Sequence, residues 1–302
     1  MTTSAPPTVP QVPTGHQVFL DHVGWMVPDL DACSRTFERL GFPLTPFSIH
    51  GDRDPTTDTV KPIGTANRLA MLQSGYLEFL ALYGGVTNPS VERMKASMAR
   101  HVGVHLCALT VSDAAGEVAR LKQQGFALNP TINLRRTIEA ADGSRVEVAF
   151  TVIRPEAMPE GRIQMLTQHT PEHMWQARYI GTTNGIDHLS GLVLAVDDPQ
   201  ETAARIGRFA NRTPHVAGET LEIRLDRGIL SVMKPALARD VLAGARIPDA
   251  PAMAAVTFRS DDLDKTRSFL SSAGIVPWRD EPERIIVDAA DAMGAYLIIT
   301  PA

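Results

Sequence analysis

Four times along the chain an apolar stretch runs into an acidic residue, an amphipathic segment follows, and a residue suited to a left-handed backbone closes it. The first copy is FLDHVGWMV, then Asp29, then the helical pattern LDACSRTFERL, then Gly41. An aspartate at a helix start accepts the orphan N–H groups of the first turn, and glycine takes the left-handed stop without strain. The same grammar carries VHLCALTVSD through Asp113 to Gly125, and AAVTFRSDD through Asp262 to Gly274. The remaining copy, LSGLVLAVDD, leads from Asp198 to Asn211, and asparagine is the second choice for that backbone. Pro199, beside that aspartate, suits a first helical turn.

Short runs rich in Val, Ile and Thr follow each predicted helix, and such runs predict strands. They are PLTPFSI, NRLAML and YLEFLAL in the first unit, and INLRRTIEA, RVEVAFTVI and RIQMLT in the second. The third has LEIRLD, ILSVMKP and a shorter piece near 214–217; the fourth has IVPW, RIIVDA and AYLIIT. Each unit therefore reads β-α-β-β-β. One such unit leaves a sheet face bare, so units must pair to close a core. The expectation is an α+β fold of four tandem βαβββ modules in two domains, at 18–170 and 184–302. The connection between them, HTPEHMWQARYIGTTN, is polar, with Trp175 and Tyr179 as anchors, and residues 171–183 form the linker proper. Residues 1–17 are rich in Pro and Thr and read as a disordered or loosely docked arm.

Composition narrows the classes. The chain has 302 residues, 44% hydrophobic and 21% charged, enough for a sizeable core. Its net charge of −5, with no Lys/Arg-rich stretch, argues against nucleic acid or an anionic membrane as partner. No stretch approaches the ~18 apolar residues of a membrane helix, and the start lacks the features of a signal peptide. Cys33 and Cys107 form no CxxC motif and lie far apart in sequence, which gives a cytoplasmic setting as the expectation. No GxSxG, phosphate-binding loop or dinucleotide fingerprint competes for the chemistry.

DHVGWMVPDLDA followed by a helix and Gly41, GYLEFL at 75–80, and QHTPEHMW together resemble the vicinal oxygen chelate superfamily. That superfamily includes glyoxalase I, extradiol dioxygenases and bleomycin-resistance proteins, and the chain looks like one of its bacterial glyoxalase-like domain proteins. The resemblance implies two glyoxalase-like domains with cupped mixed sheets. It also implies that a module can offer two ligands to a divalent metal: a His or Gln early in the first strand, and usually a Glu in the last.

The helix-opening aspartates serve as a ruler for these positions. Seven residues before Asp29 stands His22; the matching positions hold Leu106, Gly191 and Ala255. Three residues past Gly75 stands Glu78; the matching positions hold Gln164, Ser231 and Leu297. Any active cup therefore belongs to the N-terminal pair, which argues against ring-cleaving dioxygenases, since these usually keep their ligands in the C-terminal pair. Glu78 inside YLEFL is a charge on an apolar strand, and it needs a metal, an arginine or a proton. Gln164 reads as a polar group lining the cup. His105 lies one residue before the ligand position, so strict alternation turns it away unless a bulge turns it back. His169 ends the last strand of the second module, in a place where the resemblance implies a site residue. Arg135 and Arg136 face opposite sides of a strand, so at most one enters the cup. Arg68 and His50 are further candidates, Trp25 has the parity for packing against the helix, and His188 reads as structural.

Two functions from different classes remain. In one, a metal-dependent lyase or isomerase uses Zn, Ni, Mn or Fe, held by His22 and Glu78 with Gln164, His105 or His169. It acts on a small substrate with vicinal oxygens, through Lewis-acid stabilisation of an enediolate, with His22 and Glu78 catalytic. In the other, a metal-free cup sequesters a small molecule, as bleomycin-resistance proteins do. The chain is expected to work as a monomer or homodimer.

Overall fold

The computed structural model of the chain describes residues 7–53, 56–57 and 59–302. The punctuation read from the sequence is realised in its backbone. Asp29, Asp113, Asp198 and Asp262 each cap a helix, their carboxylates accepting N–H groups of the first turn. Each such cap contributes about 1 kcal/mol. Gly41, Gly125 and Gly274 follow their helices at φ of 89°, 84° and 66°, and Asn211 takes the same left-handed region at 54°.

The first module is β1 (Phe19–Met26), α1 (Leu30–Arg39), β2 (Ser48–Arg53), β3 (Val60–Met71) and β4 (Tyr76–Leu82). A helix the ruler did not foresee, α2 (Pro89–Arg100), leads to β5 (Gly103–Thr110), α3 (Ala114–Gln123), β6 (Ile132–Glu139), β7 (Arg145–Ile153) and β8 (Arg162–Gln168). After the short α4 (Pro171–Met174) comes the second half. It holds β9 (Ile186–Ala195), α5 (Pro199–Ala210), β10 (His215–Ala217), β11 (Thr220–Arg224), β12 (Ile229–Met233) and α6 (Pro235–Val241). It ends with β13 (Ala252–Ser260), α7 (Leu263–Ser272), β14 (Arg279–Glu281), β15 (Arg284–Val287) and β16 (Tyr296–Pro301).

Two eight-stranded mixed sheets result, ordered β2-β3-β4-β1-β5-β8-β7-β6 and β10-β11-β12-β9-β13-β16-β15-β14. Modules pair through antiparallel central strands, β1 with β5 and β9 with β13. Both pairs carry matching register shifts, and in each of the four strands one unpaired residue stands eight before the helix-opening aspartate: Asp21, His105, Ser190 and Ala254; β9 skips Asp187 as well.

The helix-bearing faces of both sheets share one core, which joins Trp25, Phe37, Leu109 and Leu121 to Ile206, Phe209, Phe258 and Leu270. Trp25 has the parity expected of it: it packs edge-on against Phe37, and its indole N–H donates to the carbonyl of Ala292 in the other half. His188 is likewise structural, bound to Ser74 across the halves. Residues 1–6 of the expected arm lie outside the described residues. Beyond them the arm is held down, since Gln11 bonds Val9 and Gln73 carbonyls and accepts from Gly75 N–H. Cys33 and Cys107 are buried in the shared core, and burial pushes both thiols up to about 12, with Asp29 adding to the effect at Cys33. Iodoacetamide at pH 8 is therefore expected to leave both thiols intact in the native protein and to alkylate both in denaturant. Rapid native labelling of either would contradict the packing. Among the described residues, no helix is long and apolar enough to cross a membrane.

The opposite faces of the two sheets differ. In the C-terminal half, α6 and the residues after it seal the face, with Ala238, Leu242, Ala245 and Ile247 packed on Val193, Ala255, Tyr296 and Ile298. In the N-terminal half α2 occupies the matching place in chain order but covers only part of the face. Its Met94 and Met98 sit over Met26, Leu80, Leu106 and Leu166, and cavities remain beside it.

Candidate functional site

β1 and β4 run parallel with His22 beside Tyr76 and Gly24 beside Glu78. This register brings His22 and Glu78 to the same face, with His22 Nε2 3.7 Å from Glu78 Oε2. Behind the histidine lies Asp21, fully buried, its Oδ1 2.6 Å from His22 Nδ1. Strict alternation would put Asp21 on the far face, but the shift between Leu20 and His22 turns both side chains the same way. A carboxylate only accepts, so Nδ1 carries a proton, and Nε2 is the ring nitrogen turned toward Glu78. Gln168 Nε2 lies 3.3–3.4 Å from the two Asp21 oxygens, and the Tyr76 ring stacks on His22 at 4.4 Å.

Glu78 Oε1 accepts from Asn67 Nδ2 at 2.7 Å. Burial alone would raise the Glu78 carboxyl. The neighbouring His22 and His50, the Asn67 hydrogen bond and Arg162 together outweigh burial and hold it below the usual carboxylate range. His50, bonded to Thr65 at 2.9 Å, is driven down to about 4 chiefly by burial and so is neutral at pH 7. Burial, then Asp21 and Glu78, push the Tyr76 hydroxyl well above its ordinary range.

These groups border a cavity of about 220 Å³, which Gln164 also lines. A second cavity, about 360 Å³, shares Asn67, Leu69 and Arg136 with it and is bounded by Met174, Gln176 and Tyr179 of the linker. Trp175 anchors that linker, edge-on to Tyr76 at 5.7 Å. Arg136 is the inward member of the arginine pair, bonded to Ser48 Oγ at 3.1 Å, while Arg135 pairs with Glu147.

Two candidate ligands do not join this group. His105 occupies a register shift as the sequence allowed, yet its ring stacks on His101 at 4.1 Å and its Nε2 meets the His101 carbonyl at 2.8 Å. The bulge is the counterpart of Asp21, so His105 holds the supporting position rather than the ligand position. His169 follows Gln168 with opposite parity, is exposed, and bonds Thr151 Oγ1 at 2.8 Å. Arg68 likewise has the opposite parity to Asn67 and is absent from the cavity walls. At the true counterpart of His22, Leu106 fills the space that Gly24 leaves: a Cβ on Gly24 would meet Leu106 Cβ at 2.9 Å. Met94 covers it from above.

Asp21 and Asn67 escaped the sequence reading. The signal for Asp21 was present, since it is a charge within an apolar strand just as Glu78 is. Whether a divalent ion suits the site turns on His22, which is oriented by a carboxylate as metal-bound imidazoles are. The donors fitting such an ion are His22 Nε2, the Glu78 carboxylate and, more weakly, the Gln164 amide oxygen. Among the described residues, no three or more His, Cys, Asp or Glu side chains stand together as a metal cluster. His22, Glu78 and Gln164 offer at most three side-chain donors, fewer than the four of a closed structural site.

A family model described as a glyoxalase-like domain matches residues 20–209, more than half of the chain. No curated protein matches the sequence. Among solved structures, a hypothetical protein from Staphylococcus aureus shares the fold at TM-score 0.64 and 10% identity, covering 94% of this chain and 100% of that one. A mutant of 4-hydroxymandelate synthase from Streptomyces coelicolor follows at 0.56 and 13%, with coverage of 94% and 93%. The Mn(II)-bound glyoxalase from Novosphingobium aromaticivorans stands at 0.54 and 11%, with coverage of 94% and 82%. With the paired sheets and their repeated strand-to-helix joint, the family match shows that the chain belongs to the glyoxalase-like domain family of the vicinal oxygen chelate superfamily.

Proposed function

We propose that the N-terminal cup is the active site of a metal-dependent lyase or isomerase acting on a small substrate with neighbouring oxygen atoms. The carrying observation is the line from Asp21 through His22 to Glu78, with His22 Nε2 presented to the cavity. His22, Glu78 and Gln164 would hold a divalent ion, which would supply Lewis acidity to the substrate's oxygens. The chain's own residues do the rest. Asp21 fixes the His22 tautomer. Asn67 holds Glu78 Oε1, leaving Oε2 as the acceptor that moves a proton. Arg136 offers positive charge at the cavity wall, and Leu69, Phe150 and Leu166 keep water away from the reacting atoms.

A metal-free binding function is the second reading, favoured by Leu106, which blocks the ligand position of module 2 beneath Met94. Metal analysis separates the two. Protein purified and reconstituted with Mn(II), Zn(II), Ni(II) or Fe(II) is expected to hold near-stoichiometric metal, lost in His22→Ala and in Glu78→Ala. Wild-type protein that takes up no metal would sink the enzyme reading and leave the binding one.

A further inference from the structure

Beside α2 lies a cleft of about 550 Å³. Four guanidinium groups line it: Arg93 and Arg100 from α2, Arg154 from the end of β7 and Arg162 from the start of β8. One carboxylate, Glu156, accompanies them. Arg100 is engaged by the carbonyls of Pro159 and Pro251. Glu160, in the same turn, is bound to Arg205 at 2.7 Å and so is not available to the cleft. Among the described residues, Arg93, Arg154 and Arg162 make no ion pair at contact distance, and the carboxylate that acts on Arg162 from further off is Glu78 of the cup. Such a concentration of like charge in a partly desolvated cleft is costly unless an anion enters it. Burial, then the nearby Arg162 and Arg93, pull Arg154 down to about 10.

The cleft adjoins the cup along two strands. Ile132 lines the cleft and Asn133 the cup on β6; Arg162 lines the cleft and Gln164 the cup on β8. Arg162 and Gln164 share a face and lie two residues apart, ~7 Å along a strand. Gln164 pairs with Ala108, which in turn pairs with His22. Arg162 is close enough to Glu78 for each to act on the other's charge.

We propose that the arginine cleft is a subsite for an anionic group, phosphate or carboxylate, carried on the substrate ~7–10 Å from the oxygens that react at His22 and Glu78. Assigning the anion to the substrate rests on the function proposed above; anion binding by the cleft does not. Arginine is the side chain suited to this task, because its planar fork meets phosphate or carboxylate oxygens in pairs.

Calorimetric titration of the full chain with inorganic phosphate, and separately with malonate, at low ionic strength tests it. One saturable site per chain is expected, and whichever anion binds more tightly names the class. Arg154→Gln and Arg93→Gln are each expected to weaken binding roughly tenfold, the loss of one charge-assisted hydrogen bond. Arg93 is exposed on α2, so that variant should keep the native melting temperature and separate charge loss from misfolding. His22→Ala should bind phosphate as the wild type does. This arm stands even where metal analysis goes against the enzyme reading. Binding no stronger than that of chloride at equal ionic strength, or binding that survives both arginine variants, would overturn the subsite. So would phosphate binding lost in His22→Ala.

Discussion

Asp21→Asn is expected to lower the affinity of the cup for Mn(II) by about 10- to 100-fold, the usual effect of removing a carboxylate that supports a metal-bound imidazole. The two Asp21 oxygens face donors on both sides, His22 Nδ1 at 2.6 Å and Gln168 Nε2 at 3.3–3.4 Å. An asparagine must turn its NH₂ toward one of them. If it faces His22, the ring is driven to the other tautomer and Nε2 points a proton at Glu78 instead of a lone pair. If it faces Gln168, the Gln168 amide must flip to offer its unpartnered Oε1; held as it is, two donors oppose each other in a fully buried place, at about 1–3 kcal/mol. Calorimetric titration with Mn(II) reads the first effect and thermal melting the second. An affinity equal to the wild type's would mean that Asp21 does not orient His22.

Arg205→Ala is expected to destabilise the protein by about 3–5 kcal/mol, the range found when one partner of a buried ion pair is removed. Arg205, on α5 of the second half, reaches across to Glu160 in the β7–β8 turn of the first, at 2.7 and 3.1 Å. The Glu160 side chain is 1% exposed, so truncating the arginine strands a carboxylate with little access to water. Thermal melting should show a drop of roughly 5–8 °C. The double variant Arg205→Met/Glu160→Leu should recover most of it, because replacing both charges removes the stranded ion. A fall of less than about 1 kcal/mol in the single variant would mean that water reaches Glu160. In that case the pair is no more than a surface contact.

What could be read from the sequence was local or periodic. The four capping aspartates and the residues that stop their helices depend on a few neighbouring atoms, and the structure follows them residue for residue. The glycine ruler for the last strands held in three modules, because parallel pairing beside the first strand fixes the register: Gly24 with Glu78, Ala108 with Gln164, Val193 with Ser231; in the fourth, Leu297 pairs with Val256, one residue off the pattern. That is why His22 and Glu78 could be placed together before any coordinates. The losses came from features that alternation does not carry. A single extra residue in β1 and β5 moved Asp21 into the site and gave His105 a supporting position. The helices α2 and α6 follow the last strand of a module and escaped the grammar, yet they decide which cup is open. The arginine cleft draws on three elements far apart in sequence, and no stretch of the chain looks basic.

Trp25 gives the half with no ligand-type residues a task. Its indole is enclosed by Phe37 and Phe79 and tied to the Ala292 carbonyl of the other half, on the strand that also carries Asp21 and His22. The second half is thus the mould against which the working strand sets. Expressed alone, residues 18–170 would uncover Leu20, Phe42 and Phe126, which lie against Gly228, Phe258 and Phe209 of the second half. A change in the turn that carries Ala292 is therefore also a change in the support of the strand that carries His22.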